Sequence, residues 1–365
     1  MKLICKKSDL ITGINIVMKA VSSKTTMSIL ECILIDATEG IIKFTANDME
    51  LGIETTVQGE IAEAGSIAID AKIFSEIVRK LPDNDVTIEV KDESTANITC
   101  ENAKFNILIK SAEDFSYLPV IEKKDKITIS QFSLKEIIRQ TSFAINDAEK
   151  NKLLTGELFE VNGSKLKVVA LDKFRIAIRN IELKENYGNY KVLVPGKSLN
   201  EISKILNVGV DDVNIYFTSN HILFEFDDTI VVSRLIESTN FFDTDKMISN
   251  DYKTRITINK KEMADCIDRA TLLIKEGDKK PVFLSMKDTE MELTINTFIG
   301  SMDESIPITK DGDDLLISFN PKFLIDILKV LDQEEVSMFF TNPKAPCFIK
   351  DEEGSYIYIV LPVVQ

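Results

Sequence analysis

Three segments of the chain align without gaps, and this internal repeat constrains the fold more than any other feature of the sequence. They begin at Asp70, Pro195 and Asn320. The third residue of each is a lysine, Lys72, Lys197 or Lys322, so the spacing is 125 residues each time. After each lysine, apolar residues recur at the second, fifth and ninth positions, which lie along one face of an α-helix. These positions are Phe74, Leu199, Leu324, Ile77, Ile202, Ile327, Leu81, Leu206 and Leu331. So long a period indicates a triplicated domain, not a solenoid repeat.

The repeated helix has recognisable start signals. Asp70 and Asn320 are N-cap residue types, and Pro195 and Pro321 suit the beginning of a helix. An earlier helix also recurs in each third, where Ser8 and Ser133 are predicted to be N-caps. Its apolar positions are Leu10, Leu134 and Met263, then Ile14, Ile138 and Ile267, then Val21, Ile145 and Ile274.

Short runs rich in β-branched and aromatic residues lie between and after the helices, separated by turn residues. Such runs are typical of an antiparallel strand meander. Each third of the chain is therefore predicted to contain a helix, several strands, a second helix and further strands, in that order. We predict an α+β fold of three tandem copies of a two-helix, antiparallel-sheet domain, at residues 1–122, 126–250 and 253–365. Polar linkers are expected near residues 121–126 and 249–254.

Composition excludes several classes of protein. The content of 44% hydrophobic and 28% charged residues is that of a globular chain, and no apolar run is long enough for a membrane helix. The five cysteines form no CxxC pair, so we expect reduced thiols, a cytoplasmic location and neither a zinc ribbon nor a redox pair. His221 is the only histidine, which leaves little for a metal site or a conventional catalytic triad. The net charge of −15 argues against adhesion to nucleic acid over the whole surface.

A basic face recurs on the repeated helix. On a helical wheel, the opening lysines and the basic residues seven positions later, Arg79, Lys204 and Lys329, lie opposite the apolar stripe, with Lys80 at the margin. Acidic residues also recur on this face, at Glu76, Glu201 and Asp326. The pattern leaves two interpretations open: a solvated network of ion pairs, or a surface that contacts phosphate groups.

Four further segments strengthen one interpretation. They are LLTGELFE at residues 153–160, SRLIE at 233–237, DTD at 243–245 and YIVLPVVQ at 358–365. With the triplication and the length, they resemble the bacterial β sliding clamps, the beta subunit of DNA polymerase III, over the whole chain. The resemblance implies the DNA clamp fold and a head-to-tail homodimer, closed into a ring around double-stranded DNA. It also implies no catalytic residue and no cofactor or metal.

The resemblance also implies partners and contact surfaces. Such a clamp tethers the DNA polymerase catalytic subunit, is opened by an ATP-driven clamp loader and binds other proteins with a clamp-binding motif; no membrane is involved. The DNA-facing residues would be Lys72, Arg79, Lys80, Lys197, Lys204, Lys322 and Lys329. A dimer interface would join Phe105 and Ile107 to Leu272 and Leu273, which would cover an apolar edge strand.

A hydrophobic pocket for short peptides is implied between the second and third copies. Its residues would be Leu154, Leu171, Lys173, Phe174, Arg175, Ile176, Phe242, Lys246, Met247, Pro346, Ile359, Leu361 and Val363. From the residues alone, several of these could equally be core. Lys173 and Phe174 stand where the family often has glycine and histidine, and Phe242 where it often has proline. We therefore expect a bulkier, more aromatic pocket with an altered peptide preference.

The sequence also allows other interpretations. Gly196-Lys197-Ser198 resembles the end of a P-loop, but Lys191 stands where that loop needs glycine. The acidic runs at 311–314 and 351–354 lack EF-hand spacing and are interpreted as turns. A hydrolase that uses the many carboxylates is an alternative, although no set stands at catalytic spacing. A peptide-binding scaffold without a DNA role is another.

Overall fold

The computed structural model describes residues 1–22, 24–92, 94–124, 126–146, 148–275, 277–278 and 280–364. The chain divides into two compact units. The first contains Met1–Leu134 and Ser198–Leu235, and the second contains Lys135–Lys197 and Ile236–Gln365. The middle copy of the repeat is thus divided between them, so each unit is described by itself.

The repeat predicted from the sequence is present as three successive sets of elements. The first copy contains β1 (Lys2–Lys6), α1 (Lys7–Val17), β2 (Cys32–Asp36), β3 (Ile42–Asn47), β4 (Leu51–Val57), β5 (Glu60–Glu63), β6 (Ser66–Asp70), α2 (Ala71–Lys80), β7 (Asp85–Val90), β8 (Thr95–Cys100) and β9 (Ala103–Lys110). The second contains β10 (Lys126–Ser130), α3 (Gln131–Thr141), β11 (Gly156–Leu171), β12 (Arg175–Pro195), α4 (Gly196–Ile205), β13 (Asp212–Phe217), β14 (His221–Phe226) and β15 (Thr229–Arg234). The third contains β16 (Thr254–Asn259), α5 (Lys260–Thr271), β17 (Val282–Lys287), β18 (Glu290–Asn296), β19 (Ser301–Gly312), β20 (Leu315–Phe319), α6 (Pro321–Val330), β21 (Glu335–Phe340), β22 (Cys347–Lys350) and β23 (Tyr356–Val360).

The predicted start signals are partly confirmed. Asp70 accepts a hydrogen bond from the backbone N–H of Ile73, and Asn320 accepts one from that of Lys322. The N-cap predictions for Ser8 and Ser133 were wrong, because an additional strand (β1, β10) precedes each first helix and runs directly into it. In α3, the hydroxyl of Ser130 accepts from the N–H of Ser133.

The first unit is built on one antiparallel sheet of 13 strands, in the order β10-β13-β14-β15-β4-β3-β2-β6-β9-β8-β7-β1-β5. The last strand of the second copy, β15, pairs with β4 of the first copy; we call this pairing the first junction. The helices α1 and α2 pack against each other. Beneath them the buried rings of Phe44 and Phe74 meet edge to face at 6.1 Å.

The second unit has the same plan. Its ten strands run in the order β11-β12-β23-β22-β21-β16-β19-β18-β17-β20. Here β23, the last strand of the third copy, pairs with β12 of the second copy, and this pairing is the second junction. The helices α5 and α6 pack against each other, and Tyr358 is the largest fully buried side chain, in edge contact with Phe143.

Burial of one carboxyl group in this fold favours its protonated form. Glu157 on β11 is fully buried, and its Oε2 atom lies 2.8 Å from the hydroxyl of Thr141. That hydroxyl also lies 2.7 Å from the carbonyl oxygen of Ile137, which can only accept. A hydroxyl has one proton to donate, so the carboxyl group of Glu157 must supply the other. Desolvation by burial raises the pKa of Glu157 to about 8.

Glu157→Gln is expected to make the protein less sensitive to pH. The folded-state pKa is raised above the ordinary value of 4.5, so the contribution of Glu157 is fully present below that value and declines as pH rises towards 8. The glutamine amide donates the same hydrogen bond at every pH. Between pH 4.5 and pH 8, the free energy of unfolding of the variant relative to the original protein should therefore rise by roughly 1 kcal/mol per pH unit. Above pH 8 this difference should stay constant.

Urea titrations at several pH values measure this difference. Glu160→Gln, on the same strand but paired with Lys167 and Lys191 at the surface, is the control. A stability difference for Glu157→Gln that stays constant across the interval would contradict the protonated carboxyl group.

Candidate nucleic-acid and peptide interfaces

The basic face predicted for the repeated helix is exposed in all three copies. Its apolar stripe is buried, as at Phe74, Leu199 and Leu324. The side chains opposite this stripe are exposed at Lys72, Arg79, Lys80, Lys197, Lys204, Lys322 and Lys329. The helical-wheel prediction of their orientation is therefore confirmed, whereas their contact with DNA stays a prediction.

The acidic residues on this face have different partners in different copies. On α4, Lys204 lies 2.6 Å from Glu201, three residues earlier. This is the pairing that a solvated network of ion pairs predicts. On α6, however, Asp326 lies 2.6 Å from Nη1 of Arg175. Because Arg175 neutralises Asp326, the basic residues of α6 face less opposing charge than the sequence suggested.

The second junction brings several predicted pocket residues together. Ile176 on β12 pairs with Ile359 on β23. Ile176 also packs against two buried clusters, one that includes Leu154 and Leu171 and one that includes Ile359. We call this region, with the residues of the turn at 172–175 and the chain end at 361–363, the second-junction surface.

The turn before β12 is held rigidly. Asp172 accepts hydrogen bonds from the backbone N–H groups of Phe174 and Arg175. The guanidinium of Arg175, only 8% exposed, bonds Asp172 and Asp326 and lies 4.7 Å from the ring centre of Phe323. Arg175 is therefore a fixed support for the turn, and Phe174, 52% exposed, is presented outward while its ring stacks on Phe323 at 5.8 Å.

The chain end is attached to this turn through its backbone. The N–H of Leu361 donates to the carbonyl oxygen of Phe174 at 2.8 Å. Val363 donates its N–H to the carbonyl oxygen of Ser318 and accepts from the Ser318 hydroxyl. The side chains of Leu361 and Val363 remain 41% and 37% exposed, so they are available to a ligand.

The other predicted pocket residues are less closely tied to the clusters. Phe242 meets Phe241 edge to face, and Phe241 packs on the cluster that includes Leu154. Lys173 and Lys246 are exposed and pair with Glu149 and Asp243. Met247 is exposed at the end of a short 3₁₀ turn, and Pro346 is half-buried just before β22.

Four contributors were missed at the sequence level: Phe241, Ile248, Phe323 and Phe348. Ile248 packs against both clusters, Phe348 belongs to one, and Phe323 supports the turn. Adjacent aromatics at 241–242 were a usable signal. Phe323 carried none, because it lies beside the apolar stripe of α6 and looks like ordinary core.

The predicted dimer-interface residues lie on exposed structure. Phe105 is 38% exposed on β9, and Ile107 is half-buried. Leu272, 79% exposed, and Leu273, half-buried, follow the end of α5.

The apparent P-loop glycine has a packing role. A Cβ at Gly196 would lie 2.5 Å from the terminal methyl group of Ile145, so a larger residue at the start of α4 would require Ile145 to shift. In the described ranges of the chain, no group of His, Cys, Asp and Glu residues is arranged to hold a metal ion. No helix among those residues has the length and apolar character to cross a membrane.

Three copies of a helix pair on antiparallel strands, with sheets continuous across their junctions, define a DNA clamp. Family models of the DNA polymerase III beta subunit match throughout: the N-terminal domain at residues 1–119, the central domain at 128–242 and the C-terminal domain at 245–364. The beta sliding clamp of Bacillus subtilis is 38% identical over all of this chain and 99% of its own length. That of Staphylococcus aureus is 33% identical over the same shares.

Solved structures agree with the family models. The DNA polymerase sliding clamp of Bacillus subtilis superposes with a TM-score of 0.97 at 37% identity, covering 100% of this chain and 99% of its own. A crystal structure from Eubacterium rectale gives a TM-score of 0.97 at 61% identity, with both chains fully covered. The chain belongs to the DNA polymerase III beta subunit family, the bacterial beta sliding clamps. It is a processivity subunit in DNA replication, not a catalytic enzyme.

Proposed function

We propose that two copies of this chain close head to tail into a ring that encircles duplex DNA and tethers the polymerase catalytic subunit, in the cytoplasm. The observation that carries the proposal is that a third junction, between the first and third copies, is not formed within the described part of the chain. Among the described residues, β15 and β23, the last strands of the second and third copies, pair with a neighbouring copy. In the same residues β9, the last strand of the first copy, pairs only within its own copy.

The two internal junctions share one register. At the first junction, Val232 pairs with Gly52. At the second, Ile359 pairs with Ile176. Gly52 and Ile176 occupy the same position in the repeat. Each is the first paired residue after an equivalent turn, and they pair with Asn47 and Leu171 respectively. The repeat therefore favours one way of joining neighbouring copies.

Both halves of a third junction are available. Residues 103–108 of β9 pair with β8, and residues 301–307 of β19 pair with β18. Across the described residues, no strand pairs with the opposite edge of either segment. Bare apolar edges favour association with another chain. A second copy supplies both missing partners, and a heterologous contact that closes after two chains forms a ring.

The shared register predicts the contacts. Transferred to β9 and β19, it places Phe105 opposite Met302 and Lys104 opposite Asp303. The exposed side chains of Leu108, Leu272 and Phe298 extend the apolar part of the predicted interface. Antiparallel strands joined in this way gain both an apolar pair and an ion pair across the boundary.

DNA contact would be electrostatic and independent of sequence. The seven exposed basic residues of α2, α4 and α6 would meet phosphate oxygens, while the acidic remainder of the molecule repels DNA. The second-junction surface would receive short peptides from the polymerase, the ATP-driven clamp loader and other clamp-binding proteins, with an apolar anchor beside Phe174 and Leu361.

A linearisation experiment tests encirclement. The protein is loaded on nicked circular DNA with a clamp loader and ATP, and the circle is then cut. A ring slides off the free ends, whereas a protein held by charge alone stays bound. Retention after cutting would contradict encirclement, and failure of any loading with an active loader would favour a peptide-binding scaffold without a DNA role.

Reversing Lys197, Lys204 and Lys322 to Glu is expected to weaken retention on DNA and to reduce its salt dependence. Each lost phosphate contact lowers the slope of log affinity against log salt by about one. The matched control reverses Lys91, Lys124 and Lys165, exposed lysines outside these helices, with the same change in net charge. Equal effects of the two triple variants on duplex binding would show that these helices do not face DNA.

A further inference from the structure

The first junction contains a cavity of about 260 Å³. Its wall includes Met49 and Glu50 from the turn before β4, Tyr117 and Pro119 from the segment after β9, and His221 and Val232 from the adjoining strands. The lining combines apolar side chains with polar ones, among them Glu50 and His221, which we call the rim residues. None of these residues belongs to the DNA, dimer or peptide surfaces described above.

The cavity occupies the same place in the repeat as the second-junction surface. Val232 corresponds to Ile359, because both pair with the first residue after the equivalent turn. His221 corresponds to Pro346, since Phe224 and Ile349 hold matching positions in their hairpins. Glu50 corresponds to Phe174. Two surfaces of common origin thus differ in the side chains at their rims.

The differences favour a different ligand. Lys173 and Phe174 of the second-junction surface are replaced by Met49 and Glu50. Among the described residues that line the cavity, Glu50 is the only acidic one, and none is a lysine or an arginine. Arg234 lies across from His221 on β15. Desolvation and then the charge of Arg234 lower the pKa of His221, so its imidazole is neutral at pH 7. The rim is therefore net acidic beside an apolar wall.

The cavity is also narrowed by the chain itself. A Cβ at Gly52 would lie 2.0 Å from a methyl carbon of Leu118. The side chain of Leu118 therefore lies over β4 at the position that the side chain of Ile176 occupies at the second junction. The cavity of about 260 Å³ lies below the range of roughly 300–1,000 Å³ that is usual for ligand pockets, so it suits a side chain of a bound peptide better than a longer run.

We propose that this cavity binds a short linear peptide that inserts one aliphatic side chain beside a lysine or arginine, which pairs with Glu50. The site accepts basic apolar segments, and the second-junction surface, with its exposed Lys173, does not favour them. This inference depends on the proposed function in one respect: the ligand is taken to be a peptide because the second-junction surface is proposed to bind peptides.

The single histidine provides the test. Since His221 is the only histidine and lines the cavity, its imidazole ring signals in the full-length protein can be assigned without ambiguity. Titration with acetyl-Gly-Lys-Leu-Gly-amide should move these signals saturably, with a dissociation constant in the millimolar range. The same peptide with Glu for Lys should bind about threefold more weakly, which is the value of one exposed ion pair.

Variants decide the assignment. Glu50→Gln should abolish the preference for the lysine peptide, and Glu60→Gln, the same change on β5 at the far end of the sheet, should leave it intact. The double variant Leu361→Ala with Val363→Ala should also leave it intact. Absence of a saturable shift, or an unchanged preference in Glu50→Gln, overturns the proposal. Loss in the Leu361 and Val363 variant would place the peptide at the second junction instead, and would leave the proposed function standing.

Discussion

Lys104→Glu is expected to convert the proposed homodimer, of two 41.1 kDa chains, into monomers. The register of the two internal junctions places Lys104 opposite Asp303, so the change sets two carboxylates against each other. Because a closed ring contains this interface twice, both contacts weaken together. Like charges at an interface cost several kcal/mol, which corresponds to a loss of affinity of about a hundredfold.

Sedimentation velocity across a range of concentrations measures the effect. Asp303→Lys alone should weaken the dimer similarly, and Lys104→Glu combined with Asp303→Lys should restore it, because the pair is then reversed rather than removed. Lys91→Glu, on an exposed loop residue near β8, is the control for net charge. Failure of the double variant to recover the dimer would mean that β9 and β19 meet in another register or not at all.

Leu361→Ala combined with Val363→Ala is expected to abolish binding of the polymerase catalytic subunit and to leave the dimer unchanged. Both side chains are exposed, while their backbone groups are bonded to Phe174 and Ser318. Alanine keeps those backbone bonds and removes only the apolar anchors. Loss of two central anchors typically costs enough to lower affinity by roughly a hundredfold.

Surface plasmon resonance with immobilised polymerase measures this binding. Val208→Ala combined with Val210→Ala removes a similar exposed apolar area from the segment after α4 and should have no effect. Dissociation of the dimer in the Leu361 and Val363 variant would show that the chain end is mainly structural, and the polymerase result would then not bear on the pocket.

The aromatic character expected of the pocket has a structural explanation. Phe174 stacks on Phe323 of α6, and the guanidinium of Arg175 lies 4.7 Å from the centre of the same Phe323 ring. The turn is thereby fixed with one aromatic face exposed. A peptide that suits this surface needs an anchor that packs on a flat ring, and this is the physical basis of the altered preference that we predict.

Much of the fold could be predicted because it depends on local periodicity. The apolar residues after Lys72, Lys197 and Lys322 mark the buried faces of α2, α4 and α6, and the lysines themselves are exposed as the helical wheel requires. The caps at Asp70 and Asn320 are likewise encoded within a few residues. Periodicity and capping act within one or two turns of chain, so the sequence alone carries them.

The tertiary structure decided what depends on residues far apart in the chain. The pairing of β15 with β4 and of β23 with β12, the salt bridge from Arg175 to Asp326 and the support of Phe174 by Phe323 have no local signal. Nor does the protonation of Glu157, which follows from burial and from a single hydroxyl proton on Thr141. Strand register and the sharing of hydrogen bonds are set only when distant segments meet, because each partner's position is a property of the packed whole.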